Sequence, residues 1–127
     1  MATIAPNFTN LDSGVELVTW GPCAAGDTCV PIDRTSGIMA YMAQSDRSVD
    51  IDGNFNGATV TIQGTNQWPD TGKFKTLRDP AGNNLTFSTA DIRQVLEVAA
   101  AIVPVLAGGT GLTSLTVALL MVRRPMF

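Results

Sequence analysis

The stretch 47-RSVDIDGNFNGATVTIQG-64 decides the fold class of this 127-residue chain. On both sides of Asn56-Gly57, apolar and polar residues alternate with the period of two that is typical of a strand with one buried face. The residues predicted on that buried face are Val49, Ile51, Val60 and Ile62. Asn-Gly between two alternating runs is the strongest short signal for a β-hairpin. The stretch therefore predicts two strands that pair across a tight turn.

Similar strand signals occur along most of the chain, in residues 14–20, 37–45, 73–77, 84–88, 101–107 and 113–122. Gly21-Pro22 is expected to stop the first of these, because proline cannot donate to a sheet. In the last one, Leu115, Val117 and Leu119 are predicted to point into the core. Roughly eight or nine strands with frequent turn signals indicate an all-β fold, an antiparallel β-sandwich. Jelly-roll and Ig-like topologies both remain open.

One short helix is predicted near residues 89–97. Ser88 followed three residues later by Asp91 matches a capping box. The apolar residues that follow at helical spacing are Ile92, Val95 and Leu96. We therefore expect a helix between the strands.

The two ends of the chain differ from its middle, and we expect residues 14–124 to form a single domain. Residues 1–13 are predicted to be an extended arm that does not join the hairpin of the first strand and instead contacts a neighbouring chain. Residues 125–127 form a short tail. The residues expected to contact another protein chain are Ile4, Phe8 and Leu11 in the arm, and Arg124, Met126 and Phe127 at the other end.

Composition excludes several classes of function. The chain has no histidine, so catalytic Ser-His or Cys-His pairs and the usual zinc sites are excluded. The net charge is −3 and only Arg123 and Arg124 are adjacent cations, which argues against a nucleic-acid partner. Charged residues and Pro104 interrupt the most apolar segment, 92–122, so no membrane span is predicted. The first ten residues lack the pattern of a secretory signal.

Few residues remain as candidates for a catalytic or metal-binding site. Asp50 and Asp52 would share one strand face, where a solvated surface is more typical than a hydrolase or calcium site. We predict no enzyme activity, no cofactor and no metal. Cys23 and Cys29 enclose a five-residue loop and could be free thiols or a disulfide; the sequence leaves both open.

Trp68 follows the polar turn after the strand at 58–64. The residue after such a turn commonly covers one end of a core, and tryptophan is highly buried on average. The alternative is an exposed platform for a sugar ring, with Phe74 as its second aromatic residue. We favour the covering role, and a carbohydrate-binding module or adhesin remains the second functional hypothesis.

A resemblance to a known family covers residues 47–124. The motifs that carry it are 47-RSVDIDGNFNGATVTIQGTNQW-68, 76-TLRDPAGNNLTFS-88 and 108-GGTGLTSLTVALLMVRR-124. In this order they resemble small capsid decoration, or cement, proteins of tailed bacteriophages. Residues 1–46 carry no such resemblance.

The resemblance implies a non-enzymatic structural protein of the virion. Such a protein would be made in the host cytoplasm, bind the outer surface of the phage head and stabilise contacts between major capsid subunits. The implied partner is the major capsid protein. An open sandwich also has edge strands that need covering, so we expect a homo-oligomer, with a dimer favoured over a trimer.

Overall fold

The computed structural model describes residues 1–12, 15–33, 45–67, 73–97 and 99–123. These ranges contain twelve strands and no α-helix. The strands are β1 (Thr3–Ile4), β2 (Asn7–Asp12), β3 (Val15–Cys23), β4 (Thr28–Cys29), β5 (Ile32–Asp33), β6 (Ser45–Asn54), β7 (Ala58–Thr65), β8 (Lys75–Thr76), β9 (Thr86–Phe87), β10 (Asp91–Val95), β11 (Ala101–Gly108) and β12 (Ser114–Arg123). The predicted all-β class is confirmed.

Two five-stranded sheets make up most of the fold. The first sheet has the order β10-β6-β12-β3-β2. The second has the order β5-β11-β7-β8, with β9 also paired to β7. Every pairing within these two sheets is antiparallel, whereas β1 and β4 form a separate parallel pair.

One apolar cluster contains buried residues from both sheets. The five side chains predicted to point inward, Val60, Ile62, Leu115, Val117 and Leu119, are all buried in it. Over residues 46–52 of β6 and 58–64 of β7, buried positions alternate with more exposed ones, as a period of two requires. The alternation in the sequence therefore predicted the core face of these strands correctly.

The turn at Asn56-Gly57 forms, but the hairpin predicted around it is wrong. Asn56 and Gly57 both have positive φ, and the Ala58 N–H donates to the Phe55 carbonyl across the turn. The turn nevertheless leads from one sheet to the other, because β6 pairs with β10 and β12 while β7 pairs with β11. Local residues set the turn, whereas the long registers with β11 and β12 decide the pairing.

The expected strand end at Gly21-Pro22 is also wrong. β3 continues to Cys23, and the two residues lie opposite the single residue Thr116 as a bulge in the register with β12. Gly21 has a φ of 140°, and a Cβ there would lie 2.8 Å from the Leu115 carbonyl oxygen. Glycine therefore allows the strand to bend where a larger residue would collide.

The helix predicted near 89–97 is replaced by strand β10, which pairs with β6 along its whole length. Val95 is buried, whereas Ile92 and Leu96 are exposed, so these three residues do not share one buried face. Three apolar residues within five positions fit a short helix, but isolated helices of this length are marginal. Pairing with β6 outweighs the local pattern.

Residues 7–12 join the sheet beside β3, whereas the sequence predicted an arm that does not join the hairpin of the first strand. β2 pairs with β3 from Asn7 to Asp12, and β1 pairs with β4. A register shift between Asn10 and Asp12 makes Leu11 a bulge residue. The bulge interrupts the alternation of β2, which is why the segment shows no period in the sequence. The strand predicted at 37–45 lies outside the described residues except for its last residue.

Candidate interaction surface

The edge of the first sheet at β2 is the strongest candidate for a contact with another chain. Phe8 lies directly opposite Val18, which in turn pairs with Leu119 in the core. Val18 and Leu119 are buried, but Phe8 is 46% exposed. The apolar row of the core therefore extends to the edge strand and ends on an exposed aromatic ring.

Leu11 adds a second apolar side chain to the same strand. It is 55% exposed and occupies the bulge between Asn10 and Asp12. A bulge turns a side chain away from the regular pleat, and bulges are frequent at sheet edges. Phe8 and Leu11 are thus two exposed apolar groups on one six-residue strand.

The backbone of β2 also has binding capacity. β3 is the only strand of the described ranges with which β2 pairs, so one side of β2 carries N–H and C=O groups that bond to no other described strand. Such an edge can add a strand from a partner, with backbone hydrogen bonds for affinity and apolar side chains for specificity. We call β2 with Phe8 and Leu11 the β2 edge.

The opposite edge of the first sheet is β10, which among the described strands pairs with β6 alone. The Leu96 N–H donates to the Arg78 carbonyl, and Arg78 Nε lies 3.1 Å from Glu97 Oε2. Arg93 Nη2 lies 2.7 Å from Asp79 Oδ2 and also donates to the Asn84 carbonyl. These bonds tie Arg93 and the residues just after β10 to residues 78–84.

The ion pair between Arg93 and Asp79 stabilises the charged form of the Asp79 carboxyl. Arg93 donates a hydrogen bond to the Asp79 carboxylate and, with the backbone N–H of Asn83, lowers the pKa of that carboxyl below its usual value. Both side chains are mostly shielded from solvent. The guanidinium of Arg93 also lies over the Phe87 ring, 5.3 Å from its centroid.

Apolar side chains on β10 were missed as surface residues by sequence reasoning. Ile92 is 62% exposed and Leu96 52% exposed. Both had been assigned to the buried stripe of a helix, and no signal in the sequence separates that stripe from an outward strand face. Leu112, in the turn before β12, is 72% exposed and was also not predicted as a surface residue.

The structure places the other predicted site residues as follows. Ile4 pairs with Cys29 through β1 and is partly buried against the core, so its apolar contact lies within its own chain. Phe74 is also partly buried against the core. Trp68, Arg124, Met126 and Phe127 lie outside the described residues.

Few side chains of the described residues are arranged as a catalytic or metal-binding site would require. Asp50 and Asp52 are exposed on one face of β6, as predicted. Within the described ranges, no three His, Cys, Asp or Glu side chains come together as a metal site. The same ranges hold no helix with the length and apolar character that a membrane crossing requires.

Cys23 and Cys29 form a buried pair of free thiols, with their sulfur atoms 3.9 Å apart. The hydrogen bond between them lowers the pKa of Cys23 and raises that of Cys29, and burial raises the Cys29 pKa further. The hydrogen bond thus favours the thiolate at Cys23 over the thiolate at Cys29. Asp27, in the loop between them, disfavours the charged form of both sulfur atoms.

Comparison with protein-family models, curated protein sequences and solved structures found no match for this chain. The geometry of the molecule and the resemblance of its motifs are therefore the basis for a functional hypothesis.

Proposed function

We propose that this chain is a capsid decoration protein of a tailed bacteriophage, a non-enzymatic β-sandwich that binds the outer surface of the head. Its partner would be the major capsid protein, and the β2 edge would supply the contact. The protein would act by burying surface across neighbouring capsid subunits, which raises the cost of separating them. Many identical copies on one shell would make a modest individual affinity effective.

The observation that carries the proposal is the β2 edge. It combines two exposed apolar side chains, Phe8 and Leu11, with a row of backbone groups suited to strand addition. The opposite edge also carries exposed apolar side chains, Ile92 and, just after β10, Leu96, but residues 93, 96 and 97 there are bonded to residues 78–84. We therefore assign the contact to the β2 edge.

The sandwich part of the proposal is supported by the shared core. Residues of both sheets, such as Leu119 of the first and Ile62 of the second, belong to one buried cluster. Two antiparallel sheets with a common apolar core are typical of a sandwich. The turns at Asn56-Gly57 and before β12 both lead from one sheet to the other, as jelly-roll and Ig-like connections do.

The carbohydrate-binding alternative has less support. It requires two exposed aromatic rings, and Phe74, one of the two candidates, is partly buried against the core. A ring that packs on its own core offers less surface for stacking on a sugar. The decoration hypothesis needs no contribution from Phe74.

The proposal is tested by adding the purified protein to heads of the encoding phage that lack it, followed by sedimentation of the heads. We expect the wild-type protein to sediment with the heads. The double variant Phe8→Ser, Leu11→Ser should bind at least about tenfold more weakly, which corresponds to ~1.4 kcal/mol. The side chains are exposed, so the variant should keep its fold.

Leu112→Ser is the matched control, because it removes a more exposed apolar side chain from a different surface. It should bind heads as the wild type does. Binding to glycan-coated beads but not to heads would support the carbohydrate alternative and contradict the proposal. Equal binding by the double variant and the control would exclude the β2 edge as the contact.

A further inference from the structure

Cys23 and Cys29 remain unexplained by a decoration function, although they are held in a defined arrangement. Both thiols are buried, one at the end of β3 and the other in β4. Their sulfur atoms lie 3.9 Å apart, so a shift of about 2 Å would bring them to the length of a disulfide bond. Two cysteines placed in this way are close to bond formation without any change in fold.

The loop between the thiols is rigidly built. Asp27 N–H donates to the Ala24 carbonyl, and Gly26 between them has a φ of 84°, which favours glycine. The Asp27 carboxylate accepts hydrogen bonds from the N–H groups of Ala24 and Ala2, both shorter than 3.0 Å. The turn therefore holds the two cysteine backbones at a fixed separation, which reduces the entropy that bond formation costs.

The same loop holds the start of the chain. The Thr28 N–H donates to the Ala2 carbonyl and the Val30 N–H to the Ile4 carbonyl. The resulting sheet has only two strands of two residues each, and so small a sheet is marginal by itself. Any further link between β4 and the core would therefore stabilise the position of β1. It would also stabilise the residues that connect β1 to β2.

We propose that Cys23 and Cys29 are a modification site: a small-molecule disulfide converts them to an intramolecular disulfide that fastens β4 and the N-terminal strand β1 to the end of β3. This inference stands on the geometry of the thiols and does not depend on the proposed function. A protein that is reduced in a cytoplasm and later reaches an oxidising medium would acquire the bond there.

The chemistry balances with oxidised glutathione as the oxidant. Cys29 borders a cavity of about 360 Å³ that Val103 and Pro104 also line, so there is open space beside the pair of thiols. The hydrogen bond between the two thiols favours the thiolate at Cys23, which attacks oxidised glutathione, forms a mixed disulfide and releases one glutathione thiolate. Cys29 then loses its proton, and its sulfur attacks the Cys23 sulfur, forms the intramolecular bond and releases the second glutathione. Two protein thiols are oxidised, one glutathione disulfide is reduced, and the two protons pass to the released thiolates.

The test compares the full-length protein after native incubation with oxidised glutathione and after reduction. Free thiols are counted by alkylation in denaturant and intact mass. We expect both thiols to disappear with the loss of two hydrogens and no bound glutathione. The oxidised protein should melt roughly 5–10 °C higher than the reduced protein, because a short loop is closed in the unfolded chain.

Hydrogen exchange distinguishes a fastening of β1 from a general effect. The amides of Thr28 and Val30 should exchange at least about tenfold more slowly after oxidation. Cys23→Ala and Cys29→Ala are the controls, and oxidant should leave their melting temperatures unchanged. If either control fails to fold, the thiol count and exchange of the wild type decide alone. Two free thiols after native incubation, a stable glutathione adduct, or only intermolecular dimers would overturn the proposal, and unchanged exchange at Thr28 and Val30 would overturn the fastening of β1.

Discussion

At the scale of single residues, the core depends on side chains such as Val117. It is fully buried in β12, where it pairs with Ile51 on one side and Trp20 on the other. Val117→Asp would place a charge there without a partner and should cost several kcal/mol, a large part of the stability of a domain. Denaturant unfolding measures this loss. Ser114→Asp, an exposed site on the same strand, is the control and should change stability little. A folded, stable Val117→Asp protein would contradict the core.

The lowered pKa of Asp79 predicts that the stability of the folded protein depends on pH. Its pKa is lowered in the folded protein, chiefly by the hydrogen bond from Arg93. A carboxyl with a lowered folded pKa contributes stability above its unfolded pKa, near 3.9, and loses that contribution as pH falls through the folded pKa. Asp79→Asn should therefore destabilise the protein at pH 7 and unfold with a weaker dependence on pH below about 4. Melting curves between neutral and acid pH test this. Asp50→Asn, an exposed aspartate, is the control; identical acid profiles for Asp79→Asn and wild type would exclude the role of the pair.

At the scale of elements, the sequence predicted strands well where one face of the strand is buried. It predicted them poorly where pairing with a distant strand determines the secondary structure. Apolar and polar residues alternate along most of β6 and β7 and at the start of β12, so the core faces followed from this pattern. β10 was mistaken for a helix because Ile92, Val95 and Leu96 have helical spacing, which the pairing with β6 outweighs. β2 was mistaken for a free arm because the bulge at Leu11 breaks its alternation. The strands on either side of Asn56-Gly57 pair with strands that are distant in the sequence, and a local sequence pattern does not identify such partners.

The candidate interaction surface was also predicted only in part from the sequence. Phe8 and Leu11 could be named from the sequence, because apolar residues outside a regular pattern need some contact. Their placement on a sheet edge could not be predicted, since it depends on the register with β3. Ile4 was named for the same reason as Phe8, yet its contact is with its own core.

Deletion of β2 is the corresponding prediction for an element. Removing residues 1–12 takes away β1 and β2 and leaves the edge of β3 without its antiparallel partner. We expect a lower melting temperature and more aggregation than for the full chain, because an open edge with apolar neighbours associates readily. Removing residues 1–5 is the control, since it leaves β2 in place, and should have the smaller effect. A protein without residues 1–12 that is as stable and soluble as the full chain would show that β2 is not part of the fold.

At the scale of the whole molecule, the open edges of the two sheets bear on oligomeric state. We propose a homo-oligomer, with a dimer favoured over a trimer, because an exposed strand edge is commonly covered by a partner or a second copy. Sedimentation of the isolated protein at micromolar concentration should show a dimer. The variant Phe8→Ser, Leu11→Ser should remain a dimer, because the β2 edge is assigned to the capsid contact. A wild-type monomer in solution that also sits singly on particles would contradict the expectation.

The most direct test of the proposed function is an image of the particle with and without this protein. Heads purified from the encoding phage and from a strain with the gene deleted are compared by cryo-electron microscopy. We predict extra density on the outer surface of the wild-type head, repeated at equivalent lattice positions and absent from the deletion strain, with a β-rich shape that contacts the major capsid protein. Identical heads in the two strains, or a difference confined to the tail, would contradict a capsid decoration function.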